Sequence, residues 1–339
     1  MNRRTSRFAL AAVIVIVVAA CGGGDSQTTS TSPGPTTTLV PGTTTAPEAS
    51  TSSTGPAEER TFTGADGVEV DVSDTSRIVS LNGDITEIIF ALGLGDSVVA
   101  VDVTTTYPPE AAALNDSGDT VGFGQQLTAE AVLRFEPTLV IGDGQIAPPE
   151  AIEQLRDAGV PVLILGSHTS LDGVRTKIIQ VSQILGVPDA GRELADSVTA
   201  EIDAAKTLVE DDDTDPKVAF VYVRGPQTVF IFGAAMPTQA MIEGAGAVDV
   251  GAGTGVFGPA PLTSEAIVAA APDVIILPEA GIAALGGVDA FLELPGVAET
   301  PAGQNRNFLI YEEGYFFGLG PRTGQALTEL ISDLYPDLG

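Results

Sequence analysis

Two tyrosines and one arginine in this chain are candidate ligand-binding residues because of their types and positions. Tyr107 follows a predicted strand and precedes Pro108 and Pro109, which places it on a rigid loop rather than in a core. Tyr222 and Arg224 lie two positions apart in a predicted strand, so both should face the same side of a sheet. A phenolate is a hard anionic ligand suited to ferric iron, and tyrosinate is an axial ligand of haem iron in some proteins. Alternatively, Tyr107 stacks on a flat ligand, and Tyr222 packs inside its lobe beside a surface arginine.

Three other side chains could contribute to the same site. His168 is the single histidine and comes just after a predicted strand, where loops at a cleft begin. Histidine is a frequent haem ligand, although a lone loop histidine can be incidental. Met236, in the loop that ends at Pro237, is another possible ligand. Arg322 follows a Gly-rich turn at the start of the last predicted helix, where it could meet a ligand carboxylate or cap its own helix.

The composition argues against several other functions. The chain has no G-x-x-x-x-G-K-[ST] phosphate loop and no G-x-S-x-G turn before a helix. One histidine and one cysteine cannot form a zinc site of the usual His/Cys kind. The formal net charge of −30 disfavours nucleic acid and anionic lipid headgroups as partners. These absences fit a binding protein rather than an enzyme, and we expect a monomer.

An internal repeat indicates how these side chains are positioned. Residues 127–141 (LTAEAVLRFEPTLVI) resemble residues 262–276 (LTSEAIVAAAPDVII), 135 positions later. Each copy reads as a short helix, a proline break and a buried strand. A single repeat at this distance predicts two similar α/β lobes rather than a solenoid, and a cleft between two lobes is a common place for a small ligand.

The rest of the folded part alternates strands and helices, which favours mostly parallel sheets covered on both faces. A helix of about 20 residues over 190–209 is long enough, at roughly 30 Å, to run from one lobe to the other. The predicted fold is therefore α/β, with two Rossmann-like lobes joined by one long helix and a ligand cleft between them. We assign 61–188 to the N-terminal lobe, 189–211 to the connecting helix and 212–339 to the C-terminal lobe.

The beginning of the chain predicts export and membrane attachment. Arginines precede a short apolar run in residues 1–20, which is typical of a signal peptide. The run ends in Val18-Ala19-Ala20-Cys21, which is similar to a bacterial lipobox, so Cys21 is the expected lipidation site; a plain signal peptide with an incidental cysteine is the alternative. Residues 21–60 are rich in Ser, Thr, Pro and Gly and are predicted to be a disordered tether.

The whole arrangement resembles the substrate-binding lipoproteins of ABC importers, in the class with a single helix between lobes. This class serves iron-siderophores, cobalamin and haem, and the resemblance covers residues 77–335. Three segments look most like the haem-uptake branch: 148–155, 294–298 and 318–323. At class level the motifs are Arg77-Ile78-Val79-Ser80-Leu81 and Thr104-Thr105-Thr106-Tyr107-Pro108-Pro109-Glu110-Ala111.

The resemblance implies a function and roles for several residues. The chain should capture haem on the outer face of the cytoplasmic membrane and deliver it to an ABC permease with its ATPase; cobalamin or a ferric siderophore is the alternative ligand. Tyr107 and Tyr222 would ligate the iron, and Arg224 would lie nearby. Gln125 falls in a loop where some relatives have a histidine. Glu150 resembles the acid that the first lobe offers to the permease, or it simply favours a helix N-terminus.

Overall fold

The computed structural model of the protein describes residues 60–122, 126–144, 148–210, 212 and 214–338. The predicted signal peptide, the tether with Cys21, and Gln125 lie outside the described residues. The described chain begins with a small antiparallel hairpin of β1 (Arg60–Thr63) and β2 (Glu69–Val72). Sequence patterns did not predict this hairpin, whose inward residues Val70 and Val72 belong to the main hydrophobic core.

The first lobe is built on a four-stranded parallel sheet. Its strands run in the order β4-β3-β5-β6. They are buried runs of Val, Ile, Leu and Ala, as expected for a sheet covered on both faces. The strands are β3 (Ile78–Ser80), β4 (Val98–Val101), β5 (Leu139–Asp143) and β6 (Val162–Leu165). The helices are α1 (Gly83–Ala91), α2 (Pro109–Asp116), α3 (Ala129–Leu133), α4 (Pro149–Asp157) and α5 (Leu171–Ile184).

The second lobe is built on a mixed six-stranded sheet. The strands are β7 (Lys217–Val223), β8 (Val229–Phe232), β9 (Val248–Asp249), β10 (Pro259–Pro261), β11 (Val274–Pro278) and β12 (Phe308–Tyr311). Their order is β10-β8-β7-β11-β12, with β9 also paired to β7. The pairs of β7 with β11 and of β11 with β12 are parallel, whereas β8 is antiparallel to both β7 and β10. The expectation of a mostly parallel sheet therefore holds for only part of this lobe.

A tight turn after β7 explains the antiparallel part. The backbone N–H of Arg224 donates to the carbonyl of Thr228 at 2.8 Å, which closes a hairpin between β7 and β8. Gly225 takes a φ of +78°, which glycine adopts without strain. The helices of this lobe are α7 (Pro237–Gly244), α8 (Val250–Gly253), α9 (Ser264–Ala270), α10 (Glu279–Leu285), α11 (Val288–Leu292), α12 (Pro301–Asn305), α13 (Glu313–Phe317) and α14 (Thr323–Leu334).

The long connecting helix is α6 (Pro188–Thr207), shifted by two residues from the predicted range. Its buried residues Ala195, Val198, Ile202 and Ala205 form one apolar stripe at helical spacing. This stripe packs against α5 of the first lobe and α14 of the second lobe. The close approach of α14 needs a glycine, because a Cβ at Gly324 would lie 2.4 Å from the Cβ of Glu201. None of the helices within the described ranges is long and apolar enough to cross a membrane.

The structure confirms the internal repeat. In the first copy the Thr128 hydroxyl accepts from Ala131 N at 3.2 Å and caps α3, which leads to β5. In the second copy the Thr263 hydroxyl accepts from Ala266 N at 3.1 Å and caps α9, which leads to β11. Each strand lies inside its own sheet rather than at the edge. The two copies are therefore equivalent units of two related lobes, and the predicted α/β architecture of two lobes and one connecting helix is correct.

Candidate ligand-binding site

The segments that follow the carboxyl ends of β4 in the first lobe and β12 in the second lobe contact each other. The loop after β4 carries Thr106, whose hydroxyl donates to Glu312 Oε1 at 3.0 Å. Glu312 directly follows β12 and caps α13, because its carboxylate accepts from the backbone N–H groups of Gly314 and Tyr315. Ligands of open α/β sheets bind outside the carboxyl ends of the strands. The region between these two sheet edges, here called the cleft, is therefore the candidate site.

A buried carboxylate fixes the loop that carries Tyr107. Asp102 follows β4 and is 1% exposed. Its oxygens accept from the hydroxyls of Thr104, at 2.8 Å, and Thr105, at 3.3 Å. The Thr104 hydroxyl also accepts from Gly83 N at 2.9 Å, which ties the loop to the start of α1. The side chain of Tyr107 is therefore presented by a loop with a defined backbone.

Asp102 should make the stability of the protein depend on pH. Burial raises the pKa of Asp102 to about 7, against the opposing effect of the hydrogen bonds from Thr104 and Thr105. In the unfolded state an aspartate ionises near pH 4. Between about pH 4 and 7 the folded state therefore binds more protons than the unfolded state, so the free energy of unfolding falls as pH rises. Asp102→Asn should flatten that fall, measured by denaturant unfolding at about pH 5 and pH 8. An unchanged pH dependence would contradict this assignment.

Tyr107 lies in the loop after β4, with an arginine of the second lobe over its ring. It is 41% exposed, and the guanidinium carbon of Arg322 lies 3.8 Å from its ring centroid. The same guanidinium carbon lies 5.0 Å from the ring centroid of Tyr315. A guanidinium within about 6 Å of an aromatic face is attracted to the ring. Arg322 of the second lobe thus holds a ring of the first lobe.

The hydrogen-bond partner of Arg322 is Glu87 of α1. Two bonds join them, from Nε at 3.0 Å and from the terminal nitrogen at 2.9 Å. Burial raises the pKa of Glu87, and the Arg322 guanidinium opposes that rise. From the sequence, Arg322 was expected to meet a ligand carboxylate or to cap its own helix. Its pairing with Glu87 was not predicted. The available signal in the sequence was an acidic residue, Glu87, between the isoleucines of a predicted helix, where a buried charge would need a partner.

Lys177 of α5 makes a third polar connection between the lobes. Its ammonium group donates to the carbonyl oxygens of Gly318 and Leu319 in the second lobe, both at 3.1 Å. It also pairs with Asp84 of its own lobe. Only 8% of the Lys177 side chain is exposed. The N-cap position of α1 is Asn82, and Asp84 in the first turn of that helix is the partner of Lys177.

Tyr222 and Arg224 lie side by side at the end of β7, as their spacing predicts. The guanidinium carbon of Arg224 is 5.8 Å from the Tyr222 ring centroid. Arg224 also approaches Glu313, with 3.4 Å between nitrogen and carboxylate oxygen. The Tyr222 ring stacks on Phe232 at 5.4 Å, and Phe232 in turn packs against Phe220. Burial, followed by the charge of Glu313, raises the pKa of the Tyr222 phenol, while Arg224 opposes the rise.

The remaining predicted residues occupy different places. His168 lies after β6 at the carboxyl edge of the first sheet, half-buried, with Nε2 3.0 Å from Gln180 Oε1. Met236 follows β8, which is antiparallel to β7, so its loop leaves the sheet at the end opposite the Arg224 turn. Met236 packs against the hydrophobic core. Glu150 is exposed in the first turn of α4.

Comparison with known proteins places the chain among binding proteins. The family model described as "Periplasmic binding protein" matches residues 78–314. An uncharacterised ABC transporter substrate-binding lipoprotein of Bacillus subtilis, YvrC, is 28% identical over 270 residues, which covers 78% of this chain and 81% of that protein. A vitamin B12-binding protein of Vibrio campbellii is 33% identical over 146 residues, which covers 43% of this chain and 50% of that protein.

Solved structures of haem-binding proteins share the fold. The apo form of the periplasmic haem-binding protein RhuT from Roseiflexus sp. RS-1 is 44% identical, with a TM-score of 0.74, and the match covers 78% of this chain and 100% of that chain. The haem-binding protein HmuT is 37% identical, with a TM-score of 0.77, and the match covers 83% of this chain and 91% of that chain. Three further crystal structures are of HmuT variants with one residue changed to alanine. The residues changed are a tyrosine, an arginine two positions after it, and a histidine.

Proposed function

We propose that this chain, which belongs to the periplasmic binding protein family, captures haem outside the cytoplasm and delivers it to the permease of an ABC importer. Binding and release require no chemical change of the ligand, so the protein acts without catalysis. The observation that carries the proposal is the pair of tyrosines at the two facing edges of the cleft. Each of them lies beside an arginine.

This arrangement suits the chemistry of ferric haem. A tyrosine oxygen from either edge can ligate the iron, and Arg224 favours the Tyr222 phenolate that ligation needs, against the burial and the Glu313 charge that raise the pKa of this phenol. The porphyrin also carries two propionates, for which an arginine is a suitable partner. The Tyr222–Arg224 spacing equals that of the tyrosine and arginine replaced in HmuT. In this proposal Tyr107 and Tyr222 are the candidate iron ligands and Arg224 contacts a propionate.

His168 is a further candidate for the iron, because its loop lies at the correct edge of the first sheet. Its present partner is Gln180, so ligation would require that hydrogen bond to break. Gln125 stays a proposed contact that lies outside the described residues. Met236 is the least favoured of the candidates, because its loop leaves the second sheet at the opposite end.

Cobalamin is the second candidate ligand. Vitamin B12-binding proteins are among the relatives of this chain, although the example described above aligns over half of its own length. The periphery of cobalamin carries neutral amides rather than carboxylates, and its cobalt does not require a phenolate. The tyrosine–arginine pairs are therefore chemically better suited to haem than to cobalamin.

A comparison of ligands tests the proposal. The melting temperature of the chain is measured with equal concentrations of ferric haem, cyanocobalamin and a ferric siderophore. A ligand at about 100 times its Kd stabilises the folded state by roughly 2.7 kcal/mol. We expect a marked rise with haem alone. A rise with cyanocobalamin and none with haem would favour the second candidate.

The proposal also includes attachment and docking. A lipid on Cys21 would hold the protein on the outer face of the cytoplasmic membrane, with residues 21–60 as the tether. Glu150 is exposed at the start of α4 and is the proposed contact of the first lobe with the permease. If the wild-type protein co-fractionates with membranes and the Cys21→Ser variant does not, the result would support the lipid anchor.

A further inference from the structure

We infer that Glu313 is an internal competitor for the carboxylates of the ligand, because it occupies the arginine that they would bind. The inference rests on the proposed function, since it concerns a ligand with carboxylates. It adds a residue that limits the strength of binding and so favours release. Three features of the cleft support it. Arg224 is exposed, Glu313 is held beside it, and the other two cations, Arg322 and Lys177, are already paired with protein groups.

Arg224 is the cation that a ligand can reach most easily among those described in the cleft. Its side chain is 54% exposed, and its ion pair with Glu313 is a single contact at 3.4 Å. Arg322, in contrast, is 19% exposed and makes two short hydrogen bonds to Glu87. Lys177 is 8% exposed and has a carboxylate and two carbonyl oxygens as partners. A propionate would therefore bind at Arg224 with the smallest loss of existing contacts.

The position of Glu313 is set by its neighbour in the chain. The Glu312 carboxylate accepts from Gly314 N at 2.8 Å, Tyr315 N at 2.6 Å and Thr106 Oγ1 at 3.0 Å. These bonds fix the start of α13 and connect it to the loop of the first lobe. Glu313, the next residue, is 21% exposed, so its carboxylate lies largely out of solvent beside Arg224. Its negative charge stays in the cleft when a ligand enters.

The consequence is a direct competition between two kinds of carboxylate. A propionate that approaches Arg224 must displace Glu313 or share the guanidinium with it, and like charges at this range repel. A ligand without carboxylates does not compete with Glu313 for Arg224, and feels Glu313 only through the raised pKa of the Tyr222 phenol. Glu313 should therefore weaken the binding of haem more than the binding of a haem whose propionates are esterified.

The test compares ferric haem with its dimethyl ester, which lacks free carboxylates, in titrations of the full chain. Exposed ion pairs are typically worth up to about 1 kcal/mol, so Glu313→Gln should lower the Kd for haem by roughly three- to fivefold. The Kd for the ester should fall less, because only the effect of Glu313 on the Tyr222 phenol remains for that ligand. Glu299→Gln serves as the control, because it removes an exposed charge of the same lobe and should change neither Kd. Glu313→Asp, which draws the carboxylate back by one methylene, should give a smaller gain.

The Arg224→Met background separates competition from general repulsion. In that background Glu313→Gln should give a smaller gain, because no guanidinium remains to be released and only the effect on the Tyr222 phenol is left. An equal gain there, an equal gain with the ester, or a Kd for haem that does not fall in Glu313→Gln or Glu313→Asp would overturn the inference. Failure of the wild-type chain to bind haem saturably would overturn the proposed function, and the inference with it.

Discussion

Replacing Tyr107 and Tyr222 together by phenylalanine is expected to abolish the Soret shift that ferric haem shows on binding. Phenylalanine keeps the ring that lies beneath Arg322 and the ring that stacks on Phe232. It removes only the two phenol oxygens that can ligate iron from the facing edges of the cleft. Loss of residues that merely support a metal ligand typically costs 10- to 100-fold, so loss of the ligands themselves should weaken binding by at least about 100-fold. Absorbance titration with haem measures the effect.

The single variants assign the ligand. A variant that lacks a ligating oxygen should lose the charge-transfer band typical of tyrosinate-ligated ferric haem. Tyr335→Phe is the control, because Tyr335 follows α14 and is 7% exposed in the hydrophobic core. The control should titrate like the wild type. A double variant with an unchanged titration would show that neither tyrosine ligates the iron.

Replacing Arg322 by methionine should lower the free energy of unfolding by about 3 kcal/mol. Breaking a buried ion pair by removing one partner typically costs 3–5 kcal/mol, because the other charge stays buried without compensation. The Glu87 side chain is 7% exposed, so it would be such a charge. Its pKa would rise further without the guanidinium, and at low pH it would take up a proton. The loss should therefore be larger at about pH 8 than at about pH 5.

A matched arginine provides the control for this prediction. Arg306 pairs with Asp289 at 2.7 Å, but the two side chains are 56% and 85% exposed. Arg306→Met should cost at most about 1 kcal/mol, as exposed pairs do. Adding Glu87→Gln to Arg322→Met should recover part of the lost stability, because it removes the uncompensated charge. Equal losses in Arg322→Met and Arg306→Met, measured by denaturant unfolding, would contradict the account of a buried connection between the lobes.

Local patterns in the sequence predicted the parts of the fold that depend on neighbours in the chain. The repeat at 127–141 and 262–276 predicted two related lobes, since each copy carries its own helix cap and buried strand. The alternation of Tyr222 and Arg224 predicted their common face. The antiparallel part of the second sheet was not predicted, because β10 reads Pro-Ala-Pro, and proline is found in strands mainly at edges.

The contacts between the lobes could not be predicted from such patterns. The partners Glu87 and Arg322 are 235 positions apart, Thr106 and Glu312 are 206 apart, and Lys177 and Gly318 are 141 apart. Nothing in the local periodicity of either partner identifies the other. The role of Arg322 could therefore not be derived, although its place at the start of α14 was predicted correctly.

The most direct test of the central claim is an absorbance titration of the purified chain with ferric haem, followed through the Soret and charge-transfer regions. The proposed function predicts saturable binding, with the bands of tyrosinate-ligated ferric haem that disappear in the Tyr107→Phe, Tyr222→Phe double variant. A weak absorbance change that grows without saturation would contradict it. In that case the chain would remain a member of the periplasmic binding protein family with a different ligand.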